Sequence, residues 1–277
     1  MTEAYSLYRI IKLALGGVSI SYERDVPTPE LVCHDGVSIG DYECLALPLI
    51  EQGGARALVL HAWEFAKAHF PFGARIGEPQ TTPLRVTRID LGRAPNCEEI
   101  VSASSPQLPG FIQIGVPDKR SYALRISSLL VHESMHQALY LREIHSKPFI
   151  ENALGYSPWK KRLRSARLVW HSWWTFAVQY AYLIQILSNE PSIIEVDPGL
   201  VKFTAERKAE LEIAFFSIRS CNTFLESEAS ACLEAATLVD TLTENASCVP
   251  GFARAYELAA QSKATDFSNW IHSLDTE

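Results

Sequence analysis

Residues 169–187, VWHSWWTFAVQYAYLIQIL, run without one Asp, Glu, Lys or Arg. A folded chain can use such a segment in two ways: as a membrane span, or as a helix enclosed by protein on all sides. The segment is about long enough to cross a bilayer, but His171, Ser172, Gln179 and Gln185 suit lipid poorly, and no second hydrophobic span accompanies it. A buried helix with the rest of the fold packed around it is therefore expected. The sequence on either side is also patterned for helices from residue 118 onward. An apolar, helix-patterned stretch runs from 122 to 141, and no Pro or Gly interrupts 121–146. A linker then runs through Pro148 and GYSPW, the Trp-rich helix covers about 163–187, and an amphipathic stretch covers 204–245 with a break near 220–222. A final helix follows Pro250 and Gly251 over 252–263.

The first part of the chain reads as mixed. Helical patterns cover 3–15 and 55–69, TTPLRVTRID at 81–90 is strand-like, and GFIQIGVP at 110–117 alternates enough to be a strand leading into the helix after it. The expected fold is mainly α, of the α+β class, with a helical core and a small N-terminal sheet component. At 277 residues one large domain can bury its own core, so a single domain over 1–277 is expected, with a mixed α/β part at 1–117 and a helical part at 118–277. A net charge of −7 argues against a nucleic-acid partner, which would need a basic face. One basic cluster does occur, Lys160, Lys161, Arg162, Arg164 and Arg167. It reads either as a solvated helix start or as a site for a carboxylate.

Six cysteines, Cys33, Cys44, Cys97, Cys221, Cys232 and Cys248, show no CxxC spacing, so reduced, buried thiols are expected rather than a zinc ribbon or a redox pair. The N-terminal apolar run is short, follows Glu3 and contains Arg9 and Lys12. It does not read as a signal peptide, and a cytoplasmic protein is expected.

Residues 132–136 spell HESMH inside the apolar helical stretch. Positions i and i+4 share one helix face, so the imidazoles of His132 and His136 can converge on one divalent ion. The plainer reading is a buried helix whose histidines bond to core partners, but burying two uncompensated imidazoles is costly, and metal binding is favoured. Two histidines leave a metal short of ligands. His171, inside the uncharged helix, is the first choice for a third; the alternative on the residues alone is a core histidine bonded to Tyr or Ser. Glu226, Glu228 and Glu234 on the later helix are the competing ligands, giving the two-His, one-Glu set of many zinc peptidases.

The ordered combination of HESMH, then GYSPWKKRLR, then VWHSWW resembles the HExxH-motif domain of ribosomal-peptide biosynthesis, the family of 2-oxoglutarate-dependent peptide β-hydroxylases. The resemblance covers roughly 110–187. It maps that family's Tyr-Ser-Pro-Trp-like element onto Tyr156, Ser157, Pro158 and Trp159, its following arginine onto Arg164, and its histidine onto His171. Lys161, Arg162 and Leu163 depart from the acidic residues and proline common after the Trp, and Ser172 stands for the usual Gly; these departures bear on substrate contacts more than on the metal. The resemblance implies Fe(II) held by His132, His136 and His171. It also implies 2-oxoglutarate completing the coordination, with its far carboxylate on Arg164 and Trp159, Lys160 and Arg167 close by. The substrate implied is a side chain of a precursor peptide.

Glu133 separates the readings. In a zinc metallopeptidase it would be the general base acting on a metal-bound water. In a hydroxylase it would orient a ligand or contact substrate. A peptide-binding module without catalysis is the third possibility, against which the intact His132, Glu133 and His136 count. Trp159, Trp170, Trp173, Trp174 and Tyr180 could line a peptide groove, but aromatics at helical spacing are expected in the core.

Overall fold

A computed structural model describes residues 3–16, 20–22, 26–33, 45–70, 74–76, 86–94, 101–116, 123–220 and 223–274. The fold is mainly α with a small mixed sheet. Its elements, in chain order, are α1 (Glu3–Ala14), β1 (Ile20–Tyr22), β2 (Glu30–Cys33), α2 (Leu49–His69), β3 (Ala74–Ile76), β4 (Arg88–Arg93), β5 (Val101–Ser104), β6 (Phe111–Val116), α3 (Ala123–His145), β7 (Leu154–Ser157), β8 (Arg162–Ser165), α4 (Ala166–Asn189), α5 (Ile193–Val196), α6 (Leu200–Ser220), α7 (Glu226–Asn245) and α8 (Phe252–Leu274). Packing divides the chain into two compact units, one of Met1–Gly17 with Arg142–Glu277 and one of Val18–Leu141. The boundary falls within α3.

In the unit of Val18–Leu141 the main sheet has strand order β2-β4-β6-β5, with β2, β4 and β6 parallel and β5 antiparallel to β6. Parallel strands covered on both faces read as nearly continuous apolar runs. The register sets Ile89 beside Ile112 and Leu91 beside Ile114, all fully buried. A second small sheet pairs β1 with β3. The sheet strand expected at 81–90 is instead Arg88–Arg93, and residues 77–85 lie outside the described residues. α2 begins six residues before the expected 55 and carries Gly53 and Gly54 in its exposed first turns, where a side chain would meet nothing. Its buried positions Val59, Ala62, Trp63 and Ala66 share one face.

In the other unit α4 is the centre. Trp170, Trp173, Trp174, Tyr180 and Tyr182 are each at most 1% exposed, so the uncharged stretch is a core helix and its aromatics are core. No helix among the described residues is long and apolar enough to cross a membrane. Burial of indoles leaves N–H donors to satisfy. Trp170 and Trp174 lie four apart and both donate Nε1 to Glu228 Oε1 at 2.6 Å. Arg142 adds a two-armed ion pair to the same carboxylate, and its Nη1 also donates to the Ala14 carbonyl at the end of α1. Gly16, at φ +71°, lets this guanidinium approach, because a Cβ there would stand 3.0 Å from Arg142 Nε. Glu228 lies in the first turn of α7, where the helix dipole favours an anion.

Several expectations need correcting in this unit. Residues 163–165, expected to open the Trp-rich helix, belong to strand β8, paired antiparallel with β7 so that Arg164 faces Gly155 and Arg162 faces Ser157. The GYSPW linker is therefore a hairpin, with Lys161 at φ +50° in its turn, and the basic cluster is divided among turn, strand and the start of α4. α8 continues past the expected 263 to Leu274 because Phe267 and Trp270 pack on the Tyr156 ring at 4.9 and 4.5 Å. The expected break near 220–222 falls between α6 and α7. Cys33, Cys232 and Cys248 are free thiols, as expected; Cys232 is also buried as expected, whereas Cys33 is half-buried and Cys248 exposed, against the expectation, and Cys44, Cys97 and Cys221 lie outside the described residues.

Glu228 is the residue on which this packing is most exposed to test. Glu228→Leu strips two indoles and a guanidinium of their acceptor, and breaking a buried pair in this way costs about 3–5 kcal/mol. Denaturant unfolding should show a loss of that size, with Glu228→Gln, which keeps one acceptor oxygen, losing less.

Candidate metal centre

α3 carries the motif because its apolar positions, Leu124, Ile126, Leu130, Val131, Met135, Ala138 and Leu139, enclose most of its circumference, all 7% exposed or less. Two polar stripes interrupt that surface. One is Glu133, Gln137 and Tyr140, spaced at i, i+4 and i+7, and it meets the β5–β6 hairpin. Ser102 and Ser104 alternate onto one face of β5, so both hydroxyls reach a single carboxylate. Ser102 Oγ donates to Glu133 Oε1 at 2.7 Å and Ser104 Oγ to Oε2 at 2.6 Å. Gln137 Nε2 donates to the carbonyls of Ser105 and Phe111, both at 3.4 Å, its Oε1 accepts from Gly110 N at 3.3 Å, and the Tyr140 hydroxyl reaches the Ser104 carbonyl at 3.5 Å.

The second stripe is His132 and His136. Adjacent helical residues are rotated by about 100°, so a Glu133 turned to the hairpin leaves these imidazoles on a different face. Their ring centroids lie 4.8 Å apart with planes at 80°, and His136 stacks on Tyr140 at 6.0 Å. His132 is buried and His136 half-buried. This spacing lets two imidazole nitrogens share one ion about 2.1 Å from each, so the donor pair fits a divalent metal. Among the described residues no group of three or more His, Cys, Asp or Glu side chains is arranged to hold a metal.

Burial pushes the Glu133 carboxyl above its ordinary value against the opposite pull of the Ser104 and Ser102 hydroxyls.

His171 belongs to the other unit and has a defined environment there. It is 3% exposed, and its Nε2 donates to Glu143 Oε2 at 3.2 Å. Arg167, one turn earlier on α4, donates Nε to the other oxygen of the same carboxylate. The partner at Nε2 is thus a carboxylate at the end of α3. Burial lowers the imidazole below its ordinary value, against the pull of Glu143. Burial would raise Glu143, but hydrogen bonds from His171 and Arg167 outweigh it and hold this carboxyl at about 2.

The carboxylates that competed for the third ligand position are committed elsewhere or exposed. Glu228 is saturated by Arg142, Trp170 and Trp174. Glu234 is exposed and pairs with Arg9 at 2.6 Å, while Glu226 stands exposed in the first turn of α7. Arg164 sits half-buried on β8, Lys160 is exposed in the hairpin turn, and Trp159 stacks on Phe176 with centroids 4.5 Å apart. Arg167 is bound to Glu143. Glu143, Ser102 and Ser104 were missed in sequence, since nothing in the spacing of a helical Glu or two strand serines marks them. No protein-family model matches the chain, and no curated protein is significantly similar to it.

Glu133 makes stability depend on pH. Its folded-state value lies above the ordinary 4.5, so the stability it contributes is complete below that pH and is lost as pH rises through the raised value. Glu133→Gln removes this dependence: urea unfolding across the acid to neutral range should show the wild type losing stability relative to the variant as pH rises. Ser102→Ala with Ser104→Ala should widen the gap, at about 1–3 kcal/mol for each donor lost from the buried carboxylate.

Proposed function

We propose that the chain is an Fe(II)- and 2-oxoglutarate-dependent oxygenase that β-hydroxylates a side chain of a ribosomally made precursor peptide. The observation that carries this reading is the commitment of Glu133. A zinc peptidase needs that carboxylate beside the metal-bound water, whereas here both of its oxygens accept from Ser102 and Ser104. The residue that would make HExxH hydrolytic is engaged in holding the hairpin to α3. The histidine pair keeps its place for a metal whatever Glu133 does.

In this reading His132 and His136 supply two ligands and His171 the third, the set that the motif order HESMH, YSPW, Arg164, His171 implies. Engagement of Glu228 and exposure of Glu226 and Glu234 support a histidine over a carboxylate in that position. When bound, Fe(II) with 2-oxoglutarate and dioxygen would supply the C–H oxidation, and the protein's part is to bind and orient. Arg164 offers a planar guanidinium to the far carboxylate of the oxo acid. Arg167, tied to Glu143, serves the histidine side of the site instead. Trp159 and Lys160 shortly precede Arg164 in sequence and would serve the cosubstrate side with it. Three neutral ligands leave the ion its full charge, which favours capture of a dianionic cosubstrate.

Anaerobic titration of the apoprotein with Fe(II) and 2-oxoglutarate tests the reading. The weak visible charge-transfer band of a chelated oxo acid should appear, and Arg164→Ala should raise the 2-oxoglutarate needed to reach it by tenfold or more, about 1.4 kcal/mol or above. Tight zinc binding with no such band would instead support a zinc metallopeptidase. Glu133→Gln discriminates independently: the oxygenase reading expects the band and peptide hydroxylation to survive, and the peptidase reading expects all hydrolysis to vanish.

A further inference from the structure

Glu143 has no role in the sequence pattern, yet it holds one of the three proposed ligands by a specific atom. A carboxylate can only accept hydrogen bonds, so the 3.2 Å contact from His171 Nε2 to Glu143 Oε2 puts the ring hydrogen on Nε2. With its hydrogen on Nε2, a neutral imidazole carries its lone pair on Nδ1. Arg167 and His171 lie four apart on α4 and both donate to Glu143, one to each oxygen. The carboxylate is therefore fixed from two directions and cannot turn away from the ring.

We propose that Glu143, held by Arg167, is a positioning residue that fixes the tautomer and ring orientation of His171 so that Nδ1 is the atom offered to the metal. This rests on the oxygenase reading for His171 as a ligand; the Nε2–H tautomer itself follows from the hydrogen bond alone. A ligating histidine generally donates its other N–H to a carboxylate or carbonyl, which raises its basicity, and loss of that partner costs 10- to 100-fold in metal affinity. The arrangement explains why a half-buried carboxylate, an arginine and a buried histidine meet where α3 ends against α4. It also gives Arg167 a task distinct from that of Arg164.

The test uses the whole chain, free of metal, with Co(II) alone as the probe. Long-range nitrogen–proton NMR on histidine-labelled protein should show His171, assigned by its absence in His171→Ala, as the Nε2–H tautomer at neutral pH. Glu143→Ala should lose that tautomer's predominance and weaken Co(II) binding 10- to 100-fold in competition with a chromophoric chelator. Glu143→Gln, which keeps an acceptor oxygen of the same shape, should retain the tautomer and recover most of the affinity, a rescue that general destabilisation would not give. If Glu143→Ala keeps both tautomer and affinity while His171→Ala loses the metal, Glu143 has no positioning role and the ligand set stands. If His171→Ala binds Co(II) as the wild type does, the three-histidine set itself fails, and the proposal with it.

Discussion

The helical unit is organised by one requirement: an uncharged aromatic helix cannot face water, and its few polar atoms still need partners once it is enclosed. At Trp170 and Trp174 that requirement is met by Glu228, which accepts from both at 2.6 Å and is neutralised by Arg142. The same guanidinium holds the last turn of α1 through the Ala14 carbonyl. Four elements thus meet at one buried ion pair: the C-terminal end of α3, α1, α4 and the first turn of α7. A lone buried carboxylate would be ruinous; one with four donors and a helix N-terminus beneath it specifies how these helices sit. Farther along α4, Tyr180 bonds Thr243 at 2.7 Å, so a second polar tip is satisfied on α7.

α3 applies the same principle twice. Glu133 and Glu143 lie on one helix, and each is held on both oxygens, the first by strand serines and the second by Arg167 and His171. Their electrostatic outcomes are opposite. Hydroxyl donors do not overcome burial at Glu133, whose carboxyl rises, whereas a guanidinium and an imidazole hold Glu143 at about 2. Glu133 thereby forms part of the scaffold that fixes the helix to the sheet, and Glu143 is a carboxylate held between an arginine and a histidine. The His132–His136 pair lies on a face turned away from Glu133, and Glu143 follows it on that same stripe at i+7 from His136.

Reading the residues alone located the motif helix, the core character of α4, the α6–α7 break and the strand at β6, because each is written in a local period or a local interruption. The β7–β8 hairpin was not legible. RLRS in β8 has neither apolar alternation nor β-branched residues, and it is a strand because β7 pairs with it and because Lys161 takes a left-handed turn. The last part of α8 was hidden for a related reason: Phe267 and Trp270 extend the helix by packing on Tyr156, more than a hundred positions earlier in the chain.

For the candidate site, the sequence by itself determined that two histidines share a helix face one turn apart, since that follows from helical geometry and spacing alone. It also placed His171 within a buried helix. Which carboxylates stand beside these histidines was decided only by tertiary structure. A glutamate in a helix is solvated by default, and nothing local distinguishes Glu133, Glu143 and Glu228 from their exposed neighbours. The burial of Glu133 and Glu228, and the partial burial of Glu143, depend on donors brought from distant strands and helices, and the desolvation cost of a carboxylate is met only when those partners arrive together.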